Sequence, residues 1–221
     1  MARAAPADQL RVRRVPGAPE ALIVTEPEGL ASIRWPGTAL VIWQRSVDPR
    51  LEALVDALDF AGLPHLRLEG IEAEQVGEAL AGALGDAAAR LAPLLVDAAD
   101  LARLYRRATG VSLVRLRIEA IRDDACRRFH TDRVAWRLLC TWRGPGTEWL
   151  ARRDVRRAAD GFVADPTPEA IRRLERFEVG LFAGARRPTP CVHRSPPLSG
   201  TGCDRLLLVI DEGDAAAGCT C

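Results

Sequence analysis

Two short clusters hold the residues of this sequence whose types and spacing could do chemistry. His130 and Asp132 stand two residues apart at the start of an apolar run, and His193 lies in a second cluster further along the chain. Alternate residues of a strand point to the same face, so an extended His-x-Asp directs an imidazole and a carboxylate to one point. Two histidines and one carboxylate are the ligand set of the facial triad, which binds non-haem iron and leaves coordination positions open. The sequence therefore predicts a metal site formed by His130, Asp132 and His193.

A fixed cation lies one predicted strand beyond the second cluster. Arg205 begins the apolar run RLLLVID, across a Ser/Pro/Gly turn from His193. A guanidinium fixed there could bind a carboxylate through two parallel hydrogen bonds. The order His-x-Asp, distant His and then Arg on the next strand resembles the Fe(II)/2-oxoglutarate oxygenases over residues 115–211. That resemblance implies that the three ligands hold Fe(II) and that Arg205 binds the far carboxylate of 2-oxoglutarate.

A second resemblance covers most of the chain. The phrases FHTDRVAWRLLCTWRGPGTEWL and VHRSPP, the later RLLLVID and the early Trp43–Arg45 (WQR) are similar to the uncharacterised bacterial family DUF1826. This family has no established activity. The resemblance suggests an association with zinc-homeostasis genes, which would favour zinc over iron.

Two other functions therefore stay open beside an oxygenase. The first is a zinc-binding protein in metal homeostasis that uses the same His/Asp/His site. Cys126, four residues before His130, and Cys191, two before His193, could add a thiolate and give a mixed Cys/His zinc site. The second is a cupin-like structural or partner-binding module that binds no metal. Whether the protein is an enzyme is thus left open at this point.

Composition narrows the class of partner. The 221 residues carry a net charge of +1 from 31 basic and 30 acidic side chains, so no global field attracts nucleic acid or a membrane. No run approaches the ~18 apolar residues of a membrane span, and the start has no apolar core of signal-peptide length. The six cysteines show no small-domain disulfide pattern. We expect a reduced cytoplasmic protein whose substrate is a small molecule or another protein.

The first half of the chain alternates strand and helix signals. Leu22–Thr25 and Ala39–Gln44 are short apolar runs that predict strands, and Asp48-Pro49 predicts a helix N-terminus. The Ala- and Leu-rich stretch Glu72–Arg107 predicts two or three helices that end at Gly110. From Val111 to Ala120 apolar and charged residues alternate, which predicts a strand with one solvated, charged face.

The second half is predicted to be rich in strands. Val134–Trp142 and Thr147–Leu150 would form a hairpin around Gly144-Pro145-Gly146, with Arg137 and Thr141 facing away from His130 and Asp132. We expect Arg137 to be buried and paired, with Glu148 as the candidate partner. A short helix would begin at Thr167-Pro168. The remaining predicted strands are Phe177–Ala183, Cys191–Arg194 and Arg205–Ile210.

Together with the resemblances, these elements imply an α+β protein. Its C-terminal half would be a double-stranded β-helix (a cupin-like, jelly-roll barrel), with the N-terminal strands and helices packed outside. We expect a flexible lead-in at residues 1–19 and a single domain at 20–212. Within it, a helical layer would span about 48–110 and the barrel about 111–212. Residues 213–221 would form a polar tail that ends in the free thiols Cys219 and Cys221.

Overall fold

The protein is built in three layers, one of helices and two of β-sheet. The computed structural model describes residues 12–60, 63, 65–124, 126–159 and 161–213. The helices are α1 (Pro49–Ala57), α2 (Val76–Leu84) and α3 (Ala92–Thr109), with a 3₁₀ segment at Pro27–Arg34. They cover one face of a large sheet, and a small sheet packs on its other face.

The large sheet has eight strands and the small sheet has three. Their spatial orders are β1-β2-β3-β9-β6-β11-β5-β4 and β10-β7-β8, and every pairing except β2 with β3 is antiparallel. The strands, in chain order, are β1 Val12–Val15, β2 Ala18–Val24, β3 Leu40–Trp43, β4 Leu66–Glu72, β5 Leu113–Ile121, β6 Trp136–Arg143, β7 Glu148–Leu150, β8 Ile171–Arg173, β9 Val179–Ala183, β10 Val192–Arg194 and β11 Arg205–Glu212.

The central strands are buried on both faces and serve two separate cores. On β6, Trp136, Leu138, Cys140 and Trp142 face the helices, whereas Leu139 faces the small sheet. This division follows from the period of two along a strand. A continuous apolar run such as β11 is typical of a strand covered on both sides. The helix-side core is almost entirely apolar, while the face toward the small sheet also carries charged side chains.

The sequence predictions for the first half are largely confirmed. The Asp48 side chain caps α1 by accepting a hydrogen bond from the backbone N–H of Arg50 at 2.8 Å. The helical stretch after β4 breaks into α2 and α3 around a 3₁₀ turn at Gly85–Ala87. Gly110 ends α3 in the left-handed region at φ 83°, which glycine adopts without steric cost. The mixed α+β class is therefore confirmed.

Three local predictions are wrong. Residues 12–19 are not a flexible lead-in, because β1 pairs with β2 across a turn at Gly17, where φ is 72°. Residues 1–11 and 214–221, with Cys219 and Cys221, lie outside the described residues. No helix follows Thr167: a 3₁₀ turn at Pro168–Ala170 leads directly into β8. The charged face predicted on β5 is not solvated throughout, since Arg115 on that face is buried.

The predicted hairpin of β6 and β7 is also wrong. β6 pairs with β9 and β11 in the large sheet, whereas β7 pairs with β8 and β10 in the small one. The segment Gly144-Pro145-Gly146 therefore carries the chain between sheets. A Cβ at Gly146 would lie 1.8 Å from the carbonyl oxygen of Leu174, so only glycine fits this crossing. Sequence shows such a turn but not which strands it joins.

Within the described residues, no helix is both long and apolar enough to cross a membrane.

One buried ion pair ties the helices to the large sheet. The guanidinium of Arg45, just after β3, donates to both carboxylate oxygens of Asp97 on α3, at 2.6 and 2.9 Å. The indole Nε1 of Trp142 on β6 donates to the same carboxylate at 2.7 Å. The Arg45 and Asp97 side chains are only 7% and 12% exposed. If one partner is removed, water therefore cannot solvate the remaining charge.

Asp97→Ala should destabilise the fold by about 3–5 kcal/mol, because it leaves the Arg45 charge buried and unpaired. The matched control is Asp100→Ala on the same helix, which removes an exposed pair with Arg103 and should cost less than about 1 kcal/mol. Urea unfolding of both variants measures the difference. Equal losses in the two variants would show that the buried pair has no special role.

Candidate metal centre

A backbone contact brings the two predicted histidines together. His130 and His193 form an isolated antiparallel bridge, in which each backbone N–H donates to the other residue's carbonyl at 2.9 Å. His193 belongs to β10, so His130 in effect adds a fourth strand position to the small sheet. The two imidazole rings lie side by side with centroids 5.0 Å apart.

The carboxylate of Asp132 completes the group. Its Oδ2 lies 3.0 Å from Nε2 of His193, and its Oδ1 lies 3.5 Å from Nε2 of His130. One ligand atom from each residue lies within 4.8 Å of the others, and no other such trio of ligating side chains occurs among the residues the structure describes. Ligands at right angles, with metal bonds of about 2.1 Å, are about 3.0 Å apart. Small adjustments would therefore let the three atoms share one divalent ion.

The second ring nitrogen of each histidine already has a partner. Nδ1 of His130 lies 2.8 Å from the carbonyl of Arg128, and Nδ1 of His193 lies 3.3 Å from the carbonyl of Cys191. Carbonyls only accept, so each Nδ1 carries a proton, and the neutral form of each ring then has its lone pair on Nε2, where a metal could bind. Metal-binding histidines are oriented by outer contacts of this kind.

Asp132 is buried, ionised and half unpaired. Burial opposes its ionisation, but the neighbouring His193, His130 and Arg137 together hold the pKa of this carboxyl well below its ordinary value. Oδ1 accepts a hydrogen bond from Arg137, whereas Oδ2 is buried without a hydrogen-bond partner. The 3.0 Å between His193 Nε2 and Oδ2 is short enough for a proton or a metal ion to be shared between the two atoms. A cation between them would satisfy both, so these residues fit a bound metal.

Arg205 is buried without an ion-pair partner among the described residues. Its residue exposure is 0%, and its guanidinium donates to the hydroxyls of Ser195, Thr141 and Thr147 at 2.9, 3.0 and 2.6 Å. Its Nε has no partner, and no carboxylate of the described residues forms an ion pair with it. Burial lowers the pKa of Arg205 to about 10, which leaves the group charged at neutral pH.

One cavity connects this cation to the histidines. It has a volume of about 650 Å³ and opens between the two sheets. His130, His193 and Arg205 all line it, and apolar side chains of the large sheet form the wall between them. These apolar residues are Leu139, Leu207 and Val209.

Other residues singled out in the sequence lie elsewhere. Cys126 lines the cavity and Cys191 is buried in the core, but neither belongs to the ligand group. The structure thus gives no support for a mixed Cys/His site among the described residues. His65 is exposed and also lines the cavity, and it does not belong to the His/Asp/His group.

The prediction for Arg137 was partly wrong. It is buried and paired as expected, but its partners are Asp132 and Asp211. Glu148 instead pairs with Arg173 and Arg194, because β7 lies in the other sheet. The predicted facing was also wrong: Arg137 points toward Asp132. The residues between Asp132 and β6 are not a regular strand, so parity does not carry across them.

Sequence reasoning missed four residues that surround the site. Three are the hydroxyl partners of Arg205, and the fourth is the carboxylate that holds Arg137: Thr141, Thr147, Ser195 and Asp211. Ser195 was detectable as the polar residue two positions after His193, immediately after the end of β10. Thr147 and Thr141 gave no signal, because hydroxyl residues are ordinary in strands and turns.

Fold and site together define a mixed α+β protein with a His/Asp/His group that could hold a metal ion. The chain belongs to the family described as "Protein of unknown function (DUF1826)", whose model matches residues 24–211. The sequence matches no curated protein at a significant level.

Several solved structures are similar to this fold at low identity. They include the 2-oxoglutarate complex of dioxygenase for auxin oxidation 1 from Arabidopsis thaliana, with 13% identity, coverage of 84% of this chain and 86% of that one, and a TM-score of 0.41. For a 2OG-Fe(II) oxygenase family protein from Caulobacter crescentus, the identity is 15%, the coverages are 78% and 76%, and the TM-score is 0.39. For a Pseudomonas putida prolyl-4-hydroxylase, the identity is 16%, the coverages are 73% and 93%, and the TM-score is 0.36. At these TM-scores the likeness carries no argument about function.

Replacing Cys126 by Ser and Cys191 by Ala in one variant should leave the metal stoichiometry of the protein near that of the parent, since neither thiol reaches the ligand group. Asp132→Ala is the positive control and should lose most of the metal. Metal analysis of the three purified proteins checks this. A large metal loss in the double cysteine variant would instead indicate a thiolate-containing zinc site.

Proposed function

We propose that this protein is an Fe(II)- and 2-oxoglutarate-dependent oxygenase. His130, Asp132 and His193 would hold the iron, and Arg205 would bind the far carboxylate of 2-oxoglutarate. The observation that carries the proposal is the buried, unpaired guanidinium of Arg205 in the same cavity as the His/Asp/His group. The prime substrate is not part of this proposal.

A buried cation without a counter-ion points to an anionic ligand. An isolated charge in a protein interior costs several kcal/mol unless it is paired, and hydroxyl groups compensate it only in part. The hydroxyls of Thr141, Thr147 and Ser195 fix the position of the Arg205 guanidinium and leave its Nε free. A carboxylate is the partner that a guanidinium binds best, through two parallel hydrogen bonds.

The distance between the two ends of the cavity suits a short dicarboxylate. Arg137, which contacts Asp132, and Thr141, which contacts Arg205, lie four residues apart on β6. Their Cα atoms are therefore about 13 Å apart, and their side chains shorten the gap. Leu139 and Val209 line the space between, where the methylene groups of such a ligand would lie. A 2-oxo acid has the further group needed to chelate a metal at the other end.

The strand order supports the same class. β5, β11, β6 and β9 are consecutive in the large sheet, and His130, β10, β7 and β8 follow one another in the small sheet. Four antiparallel positions facing four others is the arrangement of a double-stranded β-helix barrel, and the helices pack outside it. In such a barrel both histidines would lie in the small sheet, and Arg205 would begin a central strand of the large one.

The chain's own residues would bind and orient rather than transfer protons. When bound, Fe(II) with 2-oxoglutarate supplies the oxidising chemistry, in which the co-substrate is converted to succinate and carbon dioxide. The three ligands leave positions on a six-coordinate metal for co-substrate and oxygen. Arg205 fixes the co-substrate at its far end, and the apolar wall beside it limits water in the cavity.

Arg205→Ala should weaken binding of 2-oxoglutarate about 10- to 100-fold while metal stoichiometry stays unchanged, because the lost pair is charge-assisted and Arg is not a ligand. Arg205→Lys should recover only part of the affinity, since it lacks the planar fork. The measurement is anaerobic titration of the Fe(II) protein with 2-oxoglutarate, followed by its charge-transfer absorbance.

Arg194→Ala is the matched control, because Arg194 lines the same cavity but its guanidinium donates to Glu148 at 2.6 Å. It should leave the affinity within about threefold of the parent. A parent protein that shows no such absorbance and forms no succinate would overturn the oxygenase proposal. A zinc protein with the same three ligands would then take its place.

A further inference from the structure

A row of charged side chains crosses the inner face of the large sheet beside the ligand group. Arg115 on β5, Asp211 on β11 and Arg137 on β6 are direct cross-strand neighbours. Such neighbours have Cβ atoms about 5 Å apart and point the same way. All three are buried, and the Asp211 side chain is only 1% exposed. This row, Arg115–Asp211–Arg137, thus places three buried charges side by side on the inner face.

Asp211 holds Arg137 in a fixed orientation. Nε and one terminal nitrogen of Arg137 donate to Oδ1 and Oδ2 of Asp211, at 2.5 and 2.8 Å. Arg115 and Arg117 approach Oδ2 of Asp211 more loosely, at 3.9 and 3.8 Å. The two-point pairing fixes the plane of the Arg137 guanidinium. The other terminal nitrogen of Arg137, Nη1, is then directed at Asp132.

Arg137 makes the two oxygens of Asp132 unequal. Nη1 of Arg137 donates to Oδ1, while Oδ2 has no hydrogen-bond partner among the described residues and lies beside Nε2 of His193. A carboxylate with both oxygens free could bind a metal through both. One that shares Oδ1 with a guanidinium has a single oxygen left for the metal.

We propose that Arg137 and Asp211 are positioning residues that restrict Asp132 to one metal-binding oxygen, Oδ2. The inference rests on the metal site of the proposed function and names residues that determine how many positions on the metal stay open. A six-coordinate metal with three single-oxygen or single-nitrogen protein ligands keeps three positions for other molecules. A second bond from Asp132 would occupy one of these positions. A co-substrate that chelates through two atoms could then not bind together with oxygen.

The test compares Arg137→Gln and Asp211→Asn with the parent, each loaded with Mn(II). Water-proton relaxation of the loaded protein reports how many water molecules the metal carries. In Arg137→Gln, the freed Oδ1 of Asp132 should bind Mn(II) and displace one of its three water molecules. The relaxation enhancement should therefore fall to about two-thirds of the parent value. A crystal structure of the loaded variant should show both oxygens of Asp132 on the metal. Asp211→Asn should give an enhancement between those of the parent and Arg137→Gln, because Arg137 loses its carboxylate partner but keeps its charge.

Ligand binding gives a second readout that a purely structural role would not move. At saturating metal, Arg137→Gln should weaken 2-oxoglutarate at least about tenfold, as losses of outer-shell partners typically do. Succinate has the same far carboxylate but no 2-oxo group to chelate, so it should bind parent and variant within about threefold. Arg137→Lys should restore part of the parent behaviour, since its ammonium can still donate to Oδ1.

Arg45→Gln is the control for loss of stability alone, because Arg45 is an equally buried guanidinium paired at two points with Asp97 on the helix side of the sheet. It should lower the melting temperature and leave water count and ligand affinity unchanged. If Arg137→Gln behaves in the same way, with Asp132 still bound through one oxygen, the positioning role is overturned. A parent that binds Mn(II) but no 2-oxoglutarate would overturn the proposed function, and the water count and Asp132 coordination would still decide the inference.

Discussion

The backbone bridge between His130 and His193 is the contact on which the candidate centre depends. Its two hydrogen bonds, each 2.9 Å, join segments that are far apart in sequence and set the imidazole rings 5.0 Å apart. Because both residues occupy positions in the small sheet, the rigidity of that sheet is transferred to the ligands. Asp132, two residues further on, needs no regular strand of its own. Its orientation comes from the side chain of Arg137 in the facing sheet.

The two faces of the large sheet use buried charge differently. On the helix side, Arg45 and Asp97 pair through two hydrogen bonds, which dock α3 on the sheet. On the inner side the pairing is incomplete: one oxygen of Asp132 and the Nε of Arg205 have no hydrogen-bond partner. Unpaired buried groups are expensive, so a protein retains them where a ligand completes them. Within one sheet, the charges that stabilise the fold therefore lie on the helix side, and the incompletely paired charges lie on the inner side.

Local signals in the sequence were sufficient for much of the fold and for singling out the three side chains of the His/Asp/His group that could hold a metal ion. Caps, glycine breaks and apolar periodicity act within a few residues, so the start of α1 and the positions of α3, β5 and β11 could be placed with small errors. The pattern His130-x-Asp132 with His193 and Arg205 was recognisable, because few residue types bind metals or carboxylates. Because Arg137 is a charged residue within an apolar run, the sequence was enough to expect that its side chain is buried and paired.

Only the tertiary structure decided which strands meet and what each buried charge faces. The chain crosses from one sheet to the other at Gly144–Gly146, so Glu148 cannot reach Arg137, although sequence proximity suggested that it would. The irregular segment after Asp132 reverses the expected facing and directs Arg137 at the ligand. Pairing in a sheet depends on contacts between residues distant in sequence, and hydrogen-bond partners follow from that pairing. The sequence by itself determined which side chains could form the centre, and long-range strand pairing determined which ones position them.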